Sequence, residues 1–143
     1  MGVKRRRGVV YVILTIVMLP VFGAFIAMAI EMMSFALSSR VAFNLAMVGT
    51  TAITSEVEVG GGGYQVDINK LCRAARIAIC SQAGRVCEHD DGVVCVRRGD
   101  EIFVRVRVPR YLFFGPPFRF LPERADGYNI LTLESGIDVV DEE

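Results

Sequence analysis

A basic cluster followed by a long uncharged apolar run constrains this chain more than any other feature. The cluster consists of Lys4, Arg5, Arg6 and Arg7, and no charged residue follows it until Glu31. As an α-helix, residues 9–30 would be roughly 33 Å long, and the hydrocarbon core of a bilayer is about 30 Å thick. Basic residues that flank such a helix stay in the cytoplasm. The sequence therefore predicts a cytoplasmic segment over 1–8, a transmembrane helix over 9–30 and an extracytoplasmic remainder.

The apolar run contains residues that bear on how the helix packs. Pro20 removes one backbone donor and should kink or loosen the helix, which a bilayer tolerates when neighbouring helices satisfy the freed carbonyl group. Gly23 and Ala27 lie four residues apart, as small residues do where two membrane helices approach. Membrane lipid and other copies or related helices are the partners that this pattern predicts.

A cleavable secretory signal is the alternative to an anchor, because Ala27-Met28-Ala29 resembles a signal-peptidase site. The apolar pattern continues beyond it, however, at helical spacing. This predicted stripe consists of Met33, Leu37, Val41, Leu45, Val48 and Ala52. One helix from about Val9 to Thr54 is therefore favoured over cleavage, with residues 31–56 extending the anchor as a stalk.

Glu31 stands where the apolar run ends, and two interpretations of it remain open. It could be an interfacial carboxylate that marks the edge of the lipid. It could also form an ion pair with a neighbouring helix or with the N-terminus of a neighbouring subunit, because acids in apolar helices need a partner.

A glycine-rich segment over 57–63 predicts a flexible hinge between the stalk and a head over 64–143. Within the head, Asp67 is placed to cap a helix that ends at Ala83-Gly84. Its apolar face would comprise Ile68, Leu71, Ala75, Ala78 and Ile79. Residues 85–88 and 93–96 flank a turn containing Asp-Gly, which predicts a hairpin.

Four cysteines lie in the head: Cys72, Cys80, Cys87 and Cys95. An even number outside the cytoplasm favours two disulfides. Structural zinc sites usually show closer cysteine pairs than these. Cys72 and Cys80 would be about 12 Å apart along a helix, too far to bond. Either the helix cysteines pair with the hairpin, or the segment 72–80 is not wholly helical.

The clearest strand runs from Ile102 to Val108, with further strands expected over 128–133 and 137–140. Its valines alternate with Arg105 and Arg107, which we expect to face solvent or another subunit. The next segment, 111–122, is a proline-rich aromatic loop that either covers the core of the head or forms an exposed patch for a neighbour or the bilayer. Its candidate contact residues include Phe113, Phe114, Phe118 and Phe120.

Catalytic chemistry is not indicated by the sequence. His89 is the single histidine and adjoins Asp90 and Asp91 in a predicted turn, so no histidine relay or His-rich metal site can be completed. Arg98-Gly99-Asp100 is best interpreted as a turn between strands. With no nucleotide-binding motif and no basic head, we expect no enzyme activity, no cofactor, no small-molecule substrate and no nucleic acid.

The order of motifs over residues 4–54 resembles a known family. The motifs are Arg5-Arg6-Arg7-Gly8, an apolar run with Pro20, the acid Glu31, Leu37-Ser38-Ser39-Arg40 and Asn44-Leu45-Ala46. They resemble the start of TadE/TadG-like proteins, the pilin-like components of the tight-adherence (Flp) pilus and secretion system. The resemblance implies a pilin-like α+β protein, anchored with its N-terminus in the cytoplasm and acting in the assembly of a surface filament.

Two departures from the family pattern refine this expectation. Processed pilins have a glutamate five residues after the glycine, and here that position, five residues after Gly8, is Ile13. The difference favours a retained anchor, which resembles the TadG-type members. The alanine-rich tail of the family is replaced by residues 47–51. The sequence thus predicts a long anchor helix, a small disulfide-bonded head with an antiparallel sheet, and a structural function. A secreted module released after Ala29 and an accessory subunit of an unrelated membrane complex are the alternatives.

Overall fold

The computed structural model describes residues 2–59, 66–110, 112, 120–133 and 139–140, with the backbone alone for 2–7, 59, 66 and 139–140. The elements, in chain order, are α1 (Gly2–Val59), β1 (Val66–Asp67), α2 (Ile68–Gln82), a 3-10 helix (Gly84–Glu88), β2 (Val93–Arg98), β3 (Glu101–Pro109), β4 (Arg124–Thr132) and β5 (Val139–Val140). The predicted α+β layout, a long apolar helix followed by a small head with an antiparallel sheet, is confirmed.

α1 is one continuous helix of 58 residues that runs through Pro20. It is longer at both ends than the helix predicted over 9–54. Its apolar N-terminal half exposes nearly every described side chain, and its most apolar stretch has a mean hydropathy of 2.6. Within the described residues, α1 is the one helix that is long and apolar enough to cross a membrane.

The head is built on a three-stranded antiparallel sheet in the order β2-β3-β4. The β2–β3 hairpin turns through Gly99 and Asp100, as expected for Arg98-Gly99-Asp100, and Gly99 has a φ of 60°. Glycine adopts that angle without the strain that a Cβ would cause. In β3, Val104 and Val106 are fully buried, which confirms the predicted alternation. A second, parallel pair joins β1 to β5.

The hairpin predicted between residues 85–88 and 93–96 is wrong. Residues 84–88 form the 3-10 helix, and β2 pairs with β3 instead. Two local forces explain the difference. Cys87 is bonded to Cys80 at the end of α2, which keeps this segment beside the helix, and Val86 is buried in the core rather than paired in a sheet.

Both disulfides join α2 to the segment that follows it. They connect Cys72 with Cys95 in β2 and Cys80 with Cys87 in the 3-10 helix. The expectation that each helix cysteine bonds to one of the two later cysteines is confirmed, although only Cys95 lies in a strand. The N-cap of α2 is also confirmed, because the Asp67 carboxylate accepts a hydrogen bond of 2.9 Å from the amide of Asn69.

The C-terminal half of α1 is part of the head, whereas the sequence suggested a stalk over 31–56 separated from the head by a hinge. The core joins three surfaces, supplied by α1, α2 and the sheet. Its largest fully buried side chains are Ile53, Leu71, Ile79, Ile102, Val104 and Val106. Glycines 60–63 of the expected hinge lie outside the described residues. Because α1 forms one wall of the core, the head cannot separate from it without unfolding.

The buried face of α1 is lined mostly by small and polar residues. Its members include Glu31, Ser34, Ala42, Leu45, Ala46, Gly49, Thr50 and Ile53. The stripe predicted from helical spacing lies within α1, as expected, but it is not the face of α1 that packs on the head. Of its members only Leu45 is in the core, while Met33, Leu37 and Val41 are about half exposed or more.

Small residues are needed on this face because β4 lies very close to α1. A Cβ added at Gly127 of β4 would overlap the backbone of Ala42 and Phe43 and lie 2.8 Å from the Ala42 Cβ. Further along, the Asn129 side chain donates a 2.9 Å hydrogen bond to the Thr50 hydroxyl. β4 thus runs alongside α1. Its first residue, Arg124, pairs with Pro109 and lies at the end nearer residue 31, and Thr132 lies at the end farther from residue 31.

Candidate functional site

The side of α1 that faces away from the head carries an exposed apolar stripe. We call it the outer stripe, and it consists of Met32, Met33, Leu37, Val41, Phe43 and Met47, each between 46% and 66% exposed. Arg40 and Asn44 lie on the same exposed side. The stripe follows directly on the apolar run at residues 9–30 and extends beyond the predicted edge of the membrane, and Arg40 and Asn44 interrupt it with polar side chains.

An exposed apolar stripe of this length is unusual on a protein surface in water. Contiguous apolar patches of that kind mark sites of contact with other proteins or with membranes. Because residues at i and i+4 share one side of a helix, Met33, Leu37 and Val41 are aligned for contact with a second helix lying along α1. The outer stripe is therefore the first candidate functional surface.

The second candidate is a buried ion pair at the predicted edge of the membrane. The Glu31 and Arg110 side chains are 3% and 1% exposed, and Nη2 of Arg110 lies 3.3 Å from Oε1 of Glu31. Arg110 follows the last residue of β3, and its own amide donates a hydrogen bond to the carbonyl of Glu123. The two arms of the predicted aromatic loop are therefore joined directly against α1.

The remaining hydrogen-bonding groups of this pair are also satisfied. The Arg110 guanidinium donates to the carbonyl oxygens of Leu121 and Pro122 at 3.1 and 3.0 Å. The second carboxylate oxygen of Glu31 accepts a 3.0 Å hydrogen bond from the amide of Phe120. Buried charges are tolerated when they are paired and fully hydrogen-bonded, and removing one partner leaves the other uncompensated. The pair therefore attaches the end of the loop to the helix.

Glu31 is thus an ion-pair partner, but its partner lies in its own head rather than in a neighbouring helix or subunit. Arg110 was missed by sequence reasoning, although a signal for it existed. The inward positions of β3 are Val104, Val106 and Val108, and position 110 continues that alternation. An arginine at an inward position needs an acid, and Glu31 is the acid that ends the apolar run.

The aromatic loop is only partly described. Leu112 is half-buried, whereas the Phe120 side chain is 62% exposed although its amide is bound to Glu31. Phe113, Phe114 and Phe118 lie outside the described residues. Of the two interpretations of the loop, exposure of the apolar side chain therefore holds for Phe120.

Arg107 of β3 is bound within the head rather than free for a partner. Its guanidinium contacts the carboxylates of Asp91 and Asp126 at 2.8 and 2.9 Å, and Arg124 lies 3.1 Å from Asp91. Partial desolvation of Asp91 favours its neutral form, but Arg124 and Arg107 outweigh this and hold the pKa of Asp91 below its usual 3.8. The hydrogen bond from Arg107 to Asp126 raises the pKa of Arg107 above its ordinary value.

Arg105 has different surroundings from Arg107. It lies opposite Val94 and Tyr128 on the outer face of the sheet, and its Nε atom is buried without a hydrogen-bond partner in the described part of the chain. Next to it, the rings of Phe103 and Tyr128 stack with centroids 5.5 Å apart. Of the two arginines predicted to contact a partner, Arg105 has a buried Nε without a hydrogen-bond partner in the described residues, whereas all three guanidinium nitrogens of Arg107 donate to carboxylates.

The other predicted positions fall on α1 or on a turn. Pro20, Gly23 and Ala27 lie in the continuous helix, and no heavy atom comes within 4 Å of a Cβ placed on Gly23. Lys4, Arg5, Arg6 and Arg7 have helical backbone. His89 is exposed, and the described residues contain no group of three or more His, Cys, Asp or Glu side chains able to hold a metal ion.

The two candidate surfaces are therefore the outer stripe and the loop that the Glu31–Arg110 pair attaches to α1. Comparison with known proteins found no relative of this chain. No family model, no curated protein and no solved structure matches the chain.

Proposed function

We propose that the chain is a membrane-anchored, pilin-like subunit or assembly factor of a tight-adherence-type surface filament. The outer stripe of α1 carries this proposal. An anchor helix that emerges from its apolar run with one face in the head and the opposite face apolar requires a protein partner along its length. Other copies of the chain, or related subunits with a similar helix, would cover that face.

The arrangement of α1 supports a structural rather than a catalytic function. A helix of 58 residues is roughly 87 Å long, so it extends well beyond a bilayer of about 30 Å. The head encloses one side of the outer half and leaves the other side free. Packing of such helices side by side would place the heads at the periphery of an assembly, where the sheet faces outward.

A photo-crosslinking amino acid placed at Leu37 would test the proposal. Leu37 is 52% exposed in the outer stripe, and Ile77 is a matched control because it is 63% exposed and lies on α2 rather than on α1. Cells would be irradiated, and sheared filaments and membranes analysed separately. We expect Leu37 to crosslink to a copy of the chain or to another pilin-like subunit, and Ile77 to crosslink weakly.

Crosslinking no stronger at Leu37 than at Ile77 would contradict the proposal. Crosslinks from Leu37 to a membrane complex that contains no pilin-like subunit would identify the accessory-subunit alternative instead.

One observation favours the secreted module as a second candidate. Every buried residue in the described part of the chain lies at position 31 or later, so cleavage after Ala29 would leave the folded head intact. The released head would, however, carry the outer stripe into water, which is unfavourable without a partner. The mass of the mature protein separates the two functions, because only the secreted module would begin at Ile30.

A further inference from the structure

The base of the head carries an exposed aromatic side chain at the level where the apolar run of α1 ends. The amide of Phe120 donates to the Glu31 carboxylate at 3.0 Å, while the Phe120 side chain remains 62% exposed. Glu31 is the first charged residue after residues 9–30. The Glu31–Arg110 pair therefore holds an apolar ring beside the predicted end of the transmembrane segment.

We propose that Phe120 and the base of the head around it dock onto the outer surface of the lipid bilayer. The occupant is lipid because this surface adjoins the end of the apolar run, and the exposed side chains of that run require lipid up to this level. Phenylalanine side chains on the apolar faces of interfacial helices lie at the boundary between headgroups and acyl chains. Glu31 and Arg110 add no net charge at this level, because they neutralise each other in a buried pair.

If the head docks on lipid, the Glu31–Arg110 pair both closes the loop and positions Phe120 relative to the bilayer. Attachment at residue 31 sets the height of Phe120 relative to the membrane, and the packing of α1 against the sheet prevents the head from tilting away. The head would then rest on the bilayer through its base, with β4 running away from the membrane. This inference rests on the anchoring part of the proposed function and not on its link to a filament.

The sequence provides a clean spectroscopic test, because the chain contains no tryptophan. Three single-tryptophan variants of the full-length protein would be reconstituted in phosphatidylcholine vesicles. Phe120→Trp tests the proposal, Phe22→Trp reports on the apolar run, and Tyr128→Trp reports on the sheet. Phe22 and Tyr128 are matched to Phe120 in exposure, at 65% and 58%.

The position of Tyr128 makes it the negative control. Its neighbours Gly127 and Asn129 lie against Ala42 and Thr50 of α1, which places Tyr128 roughly 20 Å beyond Glu31 along the helix. Formation of both disulfides, measured by the mass of the unreduced protein, would confirm that each variant has folded.

Fluorescence quenching by lipids labelled with a nitroxide near the headgroup gives the decisive readout. We expect the Phe120→Trp variant to lose fluorescence and to emit at shorter wavelength than the Tyr128→Trp variant, which should remain unquenched. The Phe22→Trp variant should be quenched most by a nitroxide placed deep in the acyl chains.

Two outcomes would overturn the proposal, and they are distinguishable. Equal and weak quenching of the Phe120→Trp and Tyr128→Trp variants, beside strong quenching of Phe22→Trp, would overturn lipid docking while leaving the anchor intact. Absence of quenching in the Phe22→Trp variant would overturn both the anchor and the docking.

Discussion

The closest contact between α1 and the sheet offers a sharp test of the fold that positions both candidate surfaces. Gly127 of β4 faces the backbone of α1 at Ala42 and Phe43, and no space exists there for a methyl group. Non-bonded carbon atoms pack at about 3.5–4.0 Å. Gly127→Ala must therefore move the helix away from the strand, since neither backbone can rotate aside as a side chain would.

The magnitude follows from two opposing effects. Overpacking in a rigid core destabilises by about 1–3 kcal/mol and occasionally more, and contact with two backbone segments places Gly127→Ala at the upper end of that range. Replacing glycine also removes freedom from the unfolded chain, which stabilises by about 0.4–1 kcal/mol. We expect a net loss of about 2 kcal/mol, which lowers Tm by roughly 10 °C in a domain of this size.

Gly84→Ala provides the matched control. Gly84 is exposed at the start of the 3-10 helix, and no atom lies within 4 Å of a Cβ built on it. We expect that variant to be unchanged or more stable by up to about 1 kcal/mol. Thermal unfolding of the full chain in detergent, followed by near-ultraviolet circular dichroism, would measure both. Equal stability of the two variants would refute the close seating of α1 on β4.

Three further outcomes follow from the head. Replacing both cysteines of the Cys72–Cys95 disulfide by serine should lower the free energy of unfolding by about 3.5 kcal/mol, against about 2.5 for Cys80–Cys87, because the first closes the longer loop; urea titration would measure this order. Folding lowers the pKa of Asp91, so its contribution to stability is present above pH 3.8 and lost as pH falls through the lower folded value. Unfolding of Asp91→Asn should therefore depend less on pH in that acid range than unfolding of the unmodified chain. Arg107→Glu should destabilise the head itself by placing a third acid between Asp91 and Asp126, and native yield comparable to that of Arg105→Glu would contradict this.

Local sequence patterns predicted those elements whose own residues carry the signal for their structure. The alternation of valines and arginines located β3, and the Asp67 cap located the start of α2. The uninterrupted apolar sequence predicted α1 as one helix. In each of these elements, the signal lies within the segment that folds.

Features decided by a distant partner were predicted poorly. The inner side of α1 depends on how closely β4 approaches, because Gly127 lies directly against the backbone of α1 at Ala42 and Phe43. Helical spacing predicted that α1 continues past residue 30, but it did not predict which of its faces packs on the head. Residues 85–88 have a strand-like pattern, but the link from Cys87 to Cys80 holds them in a helical turn.

Position 110 shows how a local pattern and a distant partner could have been combined. An inward-facing arginine at the end of an apolar strand is unfavourable unless an acid meets it, and residues 9–30 supply no charge until Glu31. Joining those two positions places the end of β3 beside residue 31 of α1. That single link implies that the head lies along the helix and that its base, with Phe120, lies at the level where the apolar run of α1 ends.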